Sequence, residues 1–349
     1  MAFSNYPHGF KNGITIRGLP LDVVHPGKVH WVGNNATRLD NEKTAADGND
    51  GTFLAPFSTI EGALNDGDVV ASRGDVIFVR PGHTLAVTAE TTLALDKAGI
   101  AIIGLGTGTN RPTITHTAPS GTILVTAANV TFKNFLHTVA GTQTLGVDKA
   151  FHVSSTDFTM EDVEFRDLAA SANFVAGVQL GGGADATANQ ADRFSMRGCK
   201  FQLLSTLGGV TKALPINVEA VTDSIEVANT NVFSASLSAE GIVRVAASYN
   251  VTNLLIKDCI SMRAPSATAG TVGAIVSGGG TGAAGSGGSG ALIRCMAAVG
   301  TTLSNNRYVS ANALTSGIVV DCNLFSGAPE ATAARTLIVQ TLNQPAQFS

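Results

Sequence analysis

An alternating pattern of apolar and polar positions returns along most of the chain. Each copy spans eight residues, with mostly apolar side chains in the first and third places and a small or polar residue in the fifth. Alternation with a period of two is typical of β-strands, so each copy predicts a strand, a bend and a second strand. The copies are IAIIGLGT at 100, VTFKNFLH at 130, FTMEDVEF at 158, FSMRGCKF at 194, IEVANTNV at 225, LLIKDCIS at 254, ALIRCMAA at 291 and IVVDCNLF at 318. Their starts lie 27 to 37 residues apart, which indicates a structural repeat with loop insertions.

The fifth place marks a bend, because its residue types tolerate left-handed backbone angles. A further β stretch precedes most copies, as in KAFHVSS at 149 and LPINVEA at 214. One such coil cannot close its own core, but stacked coils bury a continuous apolar column. The pattern therefore predicts an all-β fold, a single-stranded right-handed parallel β-helix of eight coils, roughly 40 Å tall. A sandwich would need closely spaced hairpin signals, and an α/β sheet would need long amphipathic helices; the sequence has neither.

Both ends of such a solenoid need caps, since they expose strand edges and core. Residues 46–73 are predicted to form a capping segment with a short helix, in which Ser58 is the N-cap, Glu61 completes a capping box and Ile60, Ala63 and Leu64 form an apolar face. The β-helix is predicted to cover 74–349. Residues 1–45 lack the repeat and are predicted to form an extended docking arm, with aromatic contacts from Phe3, Tyr6, Phe10 and Trp31.

Equivalent places in stacked coils form ladders. The outward fourth place reads Lys133, Glu161 and Arg197, and the seventh reads Glu164 and then Lys200. Opposite charges stacked in this way stabilise neighbouring strands by a few tenths of a kcal/mol per pair. We expect these pairs to be structural.

Further along the chain the outward places become apolar, which predicts that this side is covered. The candidate residues of a subunit interface, expected around a threefold axis, are Leu255, Ile260, Leu292, Val319 and Leu324. The alternative is that the tail TLIVQTLNQPAQFS of the same chain covers them. Replacing Leu255 and Leu292 with aspartate is predicted to give soluble monomers.

Composition limits the possible ligands. With 22 Lys and Arg against 26 Asp and Glu, the net charge is only −4, so we expect no nucleic-acid partner. No apolar run long enough for a membrane span and no secretory signal is visible, so we expect no membrane association. The four cysteines show no metal-ligand spacing and are expected to be free thiols, with Cys295 and Cys322 in the fifth place of successive coils. We expect no metal ion and no cofactor.

Parallel β-helices include polysaccharide lyases and glycoside hydrolases, so catalytic residues are a possibility to test against the sequence. A hydrolase needs two carboxylates facing each other across a groove. Among the candidates, Glu161 and Glu164 have basic ladder partners and Asp162 lies at a bend, while the seven histidines are scattered. The sequence therefore predicts that the chain is not an enzyme.

Three stretches resemble a known group of proteins: HPGKVHWVGN at 25, DGNDGTFLAPFSTIEGAL at 47 and RGDVIFVRPGHT at 73. They resemble the amino-terminal part of tailed-bacteriophage virion proteins that have right-handed β-helix, pectin-lyase-like bodies. The similarity covers about the first 90 residues; beyond them only the coil pattern agrees.

The resemblance implies a structural role in a virion, in a protein made in the host cytoplasm. The expected function is that of a capsid-surface decoration or cement protein, forming homotrimeric protrusions whose arm contacts the major capsid protein or another virion protein. The alternative is a tail-fibre or tailspike component that binds, or less readily cleaves, host surface polysaccharide.

Overall fold

The chain folds into a parallel β-helix in which three long sheets run along the rod. In each of them, neighbouring strands are parallel and come from successive coils. The predicted fold class is confirmed. The structure is a computed structural model and describes residues 14–16, 19–21, 27–34, 42–140, 146–168, 173–182, 191–203, 214–234, 241–246, 249–263, 273–278, 288–299, 307–309, 314 and 316–326.

Sheet 1 has ten strands and defines the height of the rod. Nine steps between parallel neighbours at about 4.8 Å give roughly 43 Å. In chain order its strands are Val29–Val32, Val76–Val79, Ala101–Gly104, Thr131–Lys133, Thr159–Glu161, Ser195–Arg197, Glu226–Ala228, Leu254–Lys257, Ser289–Ile293 and Ser316–Val320.

Sheets 2 and 3 complete most of the coils and have nine and eight strands in the described part of the chain. The strands of sheet 2 are Thr84–Val87, Thr113–His116, Leu136–Val139, Glu164–Arg166, Lys200–Leu203, Asn231–Ser234, Ile260–Arg263, Met296–Val299 and Asn323–Ser326. Those of sheet 3 are Ala94–Leu95, Ile123–Val125, Val147–Val153, Phe174–Leu180, Leu214–Val218, Val243–Val245, Gly273–Gly278 and Arg307–Val309.

Six short elements in the described part of the chain lie outside these sheets. Ile14–Ile16 pairs antiparallel with Leu19–Leu21, and Thr222–Asp223 pairs parallel with Val251–Thr252. A helix spans Ile60–Asn65, and a 3-10 turn spans Gly108–Asn110.

The bend between sheets 1 and 2 has left-handed backbone angles in successive coils. The φ angle is 63° at Asn134, 53° at Asp162, 67° at Gly198, 50° at Asn229 and 54° at Asp258. Asparagine, aspartate and glycine adopt this conformation at the lowest cost, so the sequence repeats them here. The bend aligns every coil on its neighbours and sets which side chains point inward.

Phenylalanines fill the centre of the rod. Phe165 and Phe201 lie in adjacent coils of sheet 2 and stack with ring centroids 4.6 Å apart. Phe132 and Phe151, from sheets 1 and 3, meet edge to face at 5.3 Å. These rings are fully buried and join the three sheets in one continuous apolar core.

The helix closes the N-terminal end of this core with the predicted face, because Ile60, Ala63 and Leu64 are buried. Its N-cap is Thr59, whose hydroxyl accepts a hydrogen bond from the Gly62 N–H at 2.8 Å. The prediction of Ser58 as N-cap is therefore wrong by one residue. The Ser58 hydroxyl instead donates to Asp47, at 2.7 Å.

The predicted boundary of the arm at residue 45 is wrong, because the rod begins earlier. Val29–Val32 is the first strand of sheet 1 and pairs in register with Val76–Val79, so that sheet 1 has two strands before the first copy of the repeat. Trp31 packs against Phe53 and Phe78, with ring centroids 4.8 and 5.2 Å away. Trp31 therefore belongs to the body of the fold and not to a docking arm.

The predicted register of the last two coils is wrong by one residue. Ile256 pairs with Leu292, and Leu292 pairs with Val319, so Gly290 and Gly317 occupy the first place of the pattern. Arg294 and Asp321 take the left-handed bend, with φ of 49° and 50°. A shift of one residue exchanges inward and outward side chains along a strand.

This shift moves Cys295 and Cys322 from the predicted fifth place to the inward sixth place. All four cysteines are free and buried, as expected for thiols that fill core space. Burial raises the pKa of the Cys199 thiol to about 12, so it stays protonated and unreactive near neutral pH.

Candidate functional site

A cleft of about 370 Å³ opens at the bend between sheets 1 and 2. It crosses four successive coils, which corresponds to a length of roughly 14 Å at about 4.8 Å per step. We call it the bend cleft; it is lined by 106–109, Arg111, Asn134, 162–164, Arg166, Gly198 and Lys200.

The bend residues form the floor of the cleft. The Asn134 side-chain amide donates hydrogen bonds to the carbonyls of Gly104 and Gly106, at 2.8 and 3.0 Å. At Gly198, a Cβ atom would lie 2.5 Å from Oδ1 of Asp162. A residue without a side chain at this bend therefore keeps the space beside Asp162 open.

Two arginines hold one carboxylate on the wall of the cleft. Nη2 of Arg111 lies 2.5 Å from Oε2 of Glu164, and the Arg166 guanidinium donates to Oε1 through Nε, at 3.0 Å, and through Nη2. Burial alone would raise the pKa of Glu164, but these hydrogen bonds outweigh it and hold the pKa below its usual range. Glu164 is therefore ionised at neutral pH, a poor state for a general acid.

Lys200 does not have the partner that the sequence predicts. It stands beside Glu164 in register on sheet 2, but the Glu164 carboxylate is bound by Arg111 and Arg166. Among the described residues, the exposed Lys200 ammonium makes no ion pair. The other predicted ladder is present in part, since Nζ of Lys133 lies 2.9 Å from Oε2 of Glu161, whereas Arg197 pairs with Glu226, at 2.7 Å. The sequence does not predict the role of Arg111, which contacts Glu164 from the loop before the strand Thr113–His116.

The interface candidates from the sequence fall into two groups. Leu255 and Ile260 are half-buried on the outward columns of sheets 1 and 2. Leu292 is 1% exposed and belongs to the core, and Val319 packs against that core, so both are wrong as interface residues. Leu324 pairs with Ala297, and its side chain lies outside the described residues.

The corrected register places other apolar residues on the outside of the last coils. Ile318 is 55% exposed and Val320 is 37% exposed on sheet 1, while Phe233 and Met262 are exposed on sheet 2. Together with the half-buried Ile293, these four residues extend the outward surface that contains Leu255 and Ile260. The C-terminal apolar face consists of Phe233, Leu255, Ile260, Met262, Ile293, Ile318 and Val320.

Three of the four arm candidates, Phe3, Tyr6 and Phe10, lie outside the described residues. Within the described part of the chain, no group of three or more His, Cys, Asp or Glu residues could hold a metal ion. The same part contains no helix with the length and apolar character needed to cross a membrane. The expectations of no metal ion, no cofactor and no nucleic-acid partner stay predictions.

This chain resembles known proteins in structure and not in sequence. No family model and no curated protein matches the chain. A solved rhamnogalacturonan lyase aligns with a TM-score of 0.52 and 14% identity, over 86% of this chain and 73% of that one. An alginate lyase from Paenibacillus gives 0.36 and 12%, over 77% and 94%. ORF18 of Geobacillus virus E2 gives 0.31 and 12%, over 75% and 56%.

The prediction that the chain is not an enzyme is wrong in its reasoning, because the fold is shared with a solved structure that is named a lyase. The scattered histidines and the basic partners of Glu161 and Glu164 do not distinguish this chain from an enzyme with the same fold. A parallel β-helix is compatible with a carbohydrate-binding role and with a structural one. What the comparison establishes is the fold, which this chain shares with rhamnogalacturonan lyase.

Proposed function

We propose that the chain is a structural protein of a bacteriophage virion that decorates the capsid surface as a homotrimeric protrusion. The observation that carries this proposal is the C-terminal apolar face. Ile318 and Val320 are exposed on neighbouring outward positions of one strand, and Phe233 and Met262 are exposed on the adjoining sheet. An apolar surface of this kind on a folded chain marks an interaction site.

A second copy of the same chain is the proposed occupant. Sheets 1 and 2 meet at the bend, so their outer faces form a corner that runs parallel to the rod axis. Three parallel rods can bring such corners together around a threefold axis, which closes the assembly with identical contacts. The backbone of each coil is hydrogen-bonded to the next, as in Leu255 N–H to the Ile225 carbonyl at 2.8 Å, which favours a stiff protrusion.

Replacing Ile318 and Val320 together with aspartate is expected to convert the oligomer into a folded monomer, because two charges would have to be desolvated at each interface. Light scattering coupled to size-exclusion chromatography measures the mass, and circular dichroism checks the fold. Thr131→Asp is the matched control, since Thr131 occupies the same outward column as Ile318 in an early coil. A double variant that keeps the oligomeric mass would contradict the interface.

Capsid attachment is assigned to the residues before the rod. Since the first strand of sheet 1 begins at Val29, a truncation of residues 2–26 leaves every strand of the rod in place. We expect this variant to keep the mass of the oligomer and to lose co-sedimentation with particles assembled without the protein. Binding that survives the truncation would refute the docking arm, and so would loss of the oligomer.

A further inference from the structure

We propose that the bend cleft is a binding site for a saccharide chain that carries carboxylate groups. The cleft belongs to the early coils, where Lys200 is the last lining residue, and the C-terminal apolar face begins at Phe233. The two surfaces adjoin on neighbouring strands of sheet 2, where Gln202 pairs with Phe233, but they have no residue in common. The proposal therefore does not depend on the trimer or on capsid attachment.

The charge of the residues that line the cleft favours an anionic ligand. Arg111, Arg166 and Lys200 face the carboxylates of Asp162 and Glu164, so the cleft has an excess of positive charge on a chain that is negative overall. The Glu164 carboxylate is shared between the two arginines, and Lys200 keeps an exposed ammonium with no ion pair among the described residues. A free cation beside a neutralised acid is suited to an anionic ligand group.

Arg166 adds donors on the same side. Its side chain is 33% exposed, and Nε and Nη2 both donate to Glu164. A guanidinium has five N–H donors in a planar fork, so those of Nη1 are left for a ligand. Lys200 and Arg166 lie on adjacent coils of sheet 2, where Arg166 pairs in register with Gln202. Two cationic side chains thus flank one path along the cleft.

The rest of the lining is suited to hydroxyl groups. Thr107 and Thr109 are exposed on the loop before Arg111, and the side chain of Asp162 is 57% exposed. Hydroxyls of a sugar ring can donate to Asp162 and exchange hydrogen bonds with both threonines. The lining contains no aromatic side chain, so recognition has to come from charge and hydrogen bonds.

The geometry favours a saccharide over a nucleic acid. The cleft extends across four coils, roughly 14 Å at about 4.8 Å per step, which suits a short stretch of a linear chain. The phosphodiester backbone of DNA has no hydroxyl donor for Asp162 or for the two threonines, and the negative net charge of the protein disfavours a long polyanion. Each unit of an acidic saccharide has a carboxylate and free hydroxyls, and both kinds of group have partners in the lining.

The test titrates the full chain with a tetramer of galacturonic acid by calorimetry at low ionic strength, and uses the methyl ester of the same tetramer as the neutral ligand. We expect the acid to bind, the ester to bind at least tenfold more weakly, and added salt to weaken the acid's binding. Equal binding of acid and ester would overturn the proposal. Failure of the acid to bind at millimolar concentration would do the same.

A pair of lysine variants locates the site. Lys200→Gln is expected to weaken binding of the acid by about tenfold, the size of one lost charge-assisted contact. Lys43→Gln removes the same charge from another exposed lysine that does not line the cleft, and should bind as the unmodified chain does. Equal weakening in both variants would show a general charge effect and refute the site. Inorganic sulfate is the competitor; displacement of the tetramer at equal concentration would show an anion site without saccharide selectivity, and would also refute it.

Discussion

Replacing Leu292 with aspartate is expected to prevent the last coils from folding. Leu292 is 1% exposed and stacks between Ile256 and Val319 on the inner face of sheet 1. Truncating such a side chain to alanine alone costs about 2–5 kcal/mol. Aspartate adds the desolvation of a charge that has no partner there, which costs several kcal/mol more. The sum is comparable with the whole stability of an ordinary domain, about 5–15 kcal/mol.

The measurement compares Leu292→Asp with Ile318→Asp by circular dichroism and limited proteolysis. Ile318 is 55% exposed on the outward column of the next coil, so the same change there should leave the fold intact. We expect rapid cleavage within residues 288–326 only in the Leu292 variant. A Leu292→Asp chain that stays folded as a soluble monomer would support the register derived from the sequence alone, and contradict the one observed.

The two registers differ because apolar residues alone do not identify the first place of the repeat in the last two coils. In the copies from 100 to 261 the first place is apolar, and from the copy at 130 onward the left-handed bend falls on Gly, Asn or Asp. In the last two coils the first place is Gly290 and Gly317, while Ala291 and Ile318 look like the first apolar residue. A Cβ atom at Gly290 would lie 2.6 Å from the carbonyl oxygen of Leu254 and 3.3 Å from Cδ1 of Leu314, so there is no room for a side chain in that place.

The bend would have been the better guide in those coils. Asp321 is a residue type that adopts left-handed angles readily, and aligning it with Asp258 gives the observed register. Arg294 gives no such signal, because arginine has no intrinsic preference for that conformation. Its side chain is held instead by Asp258 one coil below, through two hydrogen bonds of 2.7 Å. Here a contact between neighbouring coils, and not the preference of the residue type, stabilises the left-handed conformation.

The bend cleft was beyond prediction for a similar reason. Glu164 and Lys200 are neighbours in the ladder, and their opposite charges predict an ion pair. Arg111 competes for the same carboxylate from a distance of 53 residues in sequence. Only the stacking of coils brings the loop before Thr113 against Glu164, and with it the unpaired Lys200. Pairwise reasoning along one column cannot include a side chain from outside that column.

The start of the rod was missed because its spacing departs from the repeat. Val29–Val32 and Val76–Val79 are adjacent strands, but the capping segment with its helix lies between them. A buried ion pair connects the residues before this segment to the rod, with Nη1 of Arg80 2.5 Å from Oε1 of Glu42. The insertion hides the period, and the aromatic residue Trp31 then looks like part of a free arm.

Lowering the pH from 7 to 4 is expected to destabilise the rod strongly, because histidines are buried in it as neutral rings. His83, His116 and His137 are 3% exposed or less. Burial lowers the pKa of His83 and of His116 from 6.5 to about 4, and lowers that of His137 well below 6.5. The unfolded chain takes up protons below pH 6.5 and the folded chain does not.

The hydrogen bonds of two of these rings explain why protonation is unfavourable. Nδ1 of His116 lies 2.6 Å from the Gly121 carbonyl and must donate to it, which leaves Nε2 as an acceptor. That nitrogen lies 3.1 Å from Nδ1 of His137, which therefore donates. A proton added to Nε2 of His116 would face another N–H across this contact. The pair thus holds one arrangement of neutral tautomers, with no partner for a second positive charge.

The sign and size of the effect follow from these pKa values. Stability is complete above pH 6.5 and decreases as the pH falls toward 4, by about 3 kcal/mol for each of His83 and His116. Unfolding in urea at pH 4.5, 5.5, 6.5 and 7.5 gives the free energy at each pH. His83→Leu removes one group that takes up a proton only on unfolding. The slope of its unfolding free energy against pH near pH 5.5 should therefore be smaller than that of the unmodified chain, by about 1.4 kcal/mol per pH unit. Equal slopes for the two proteins would mean that His83 is not buried as a neutral ring in the folded rod.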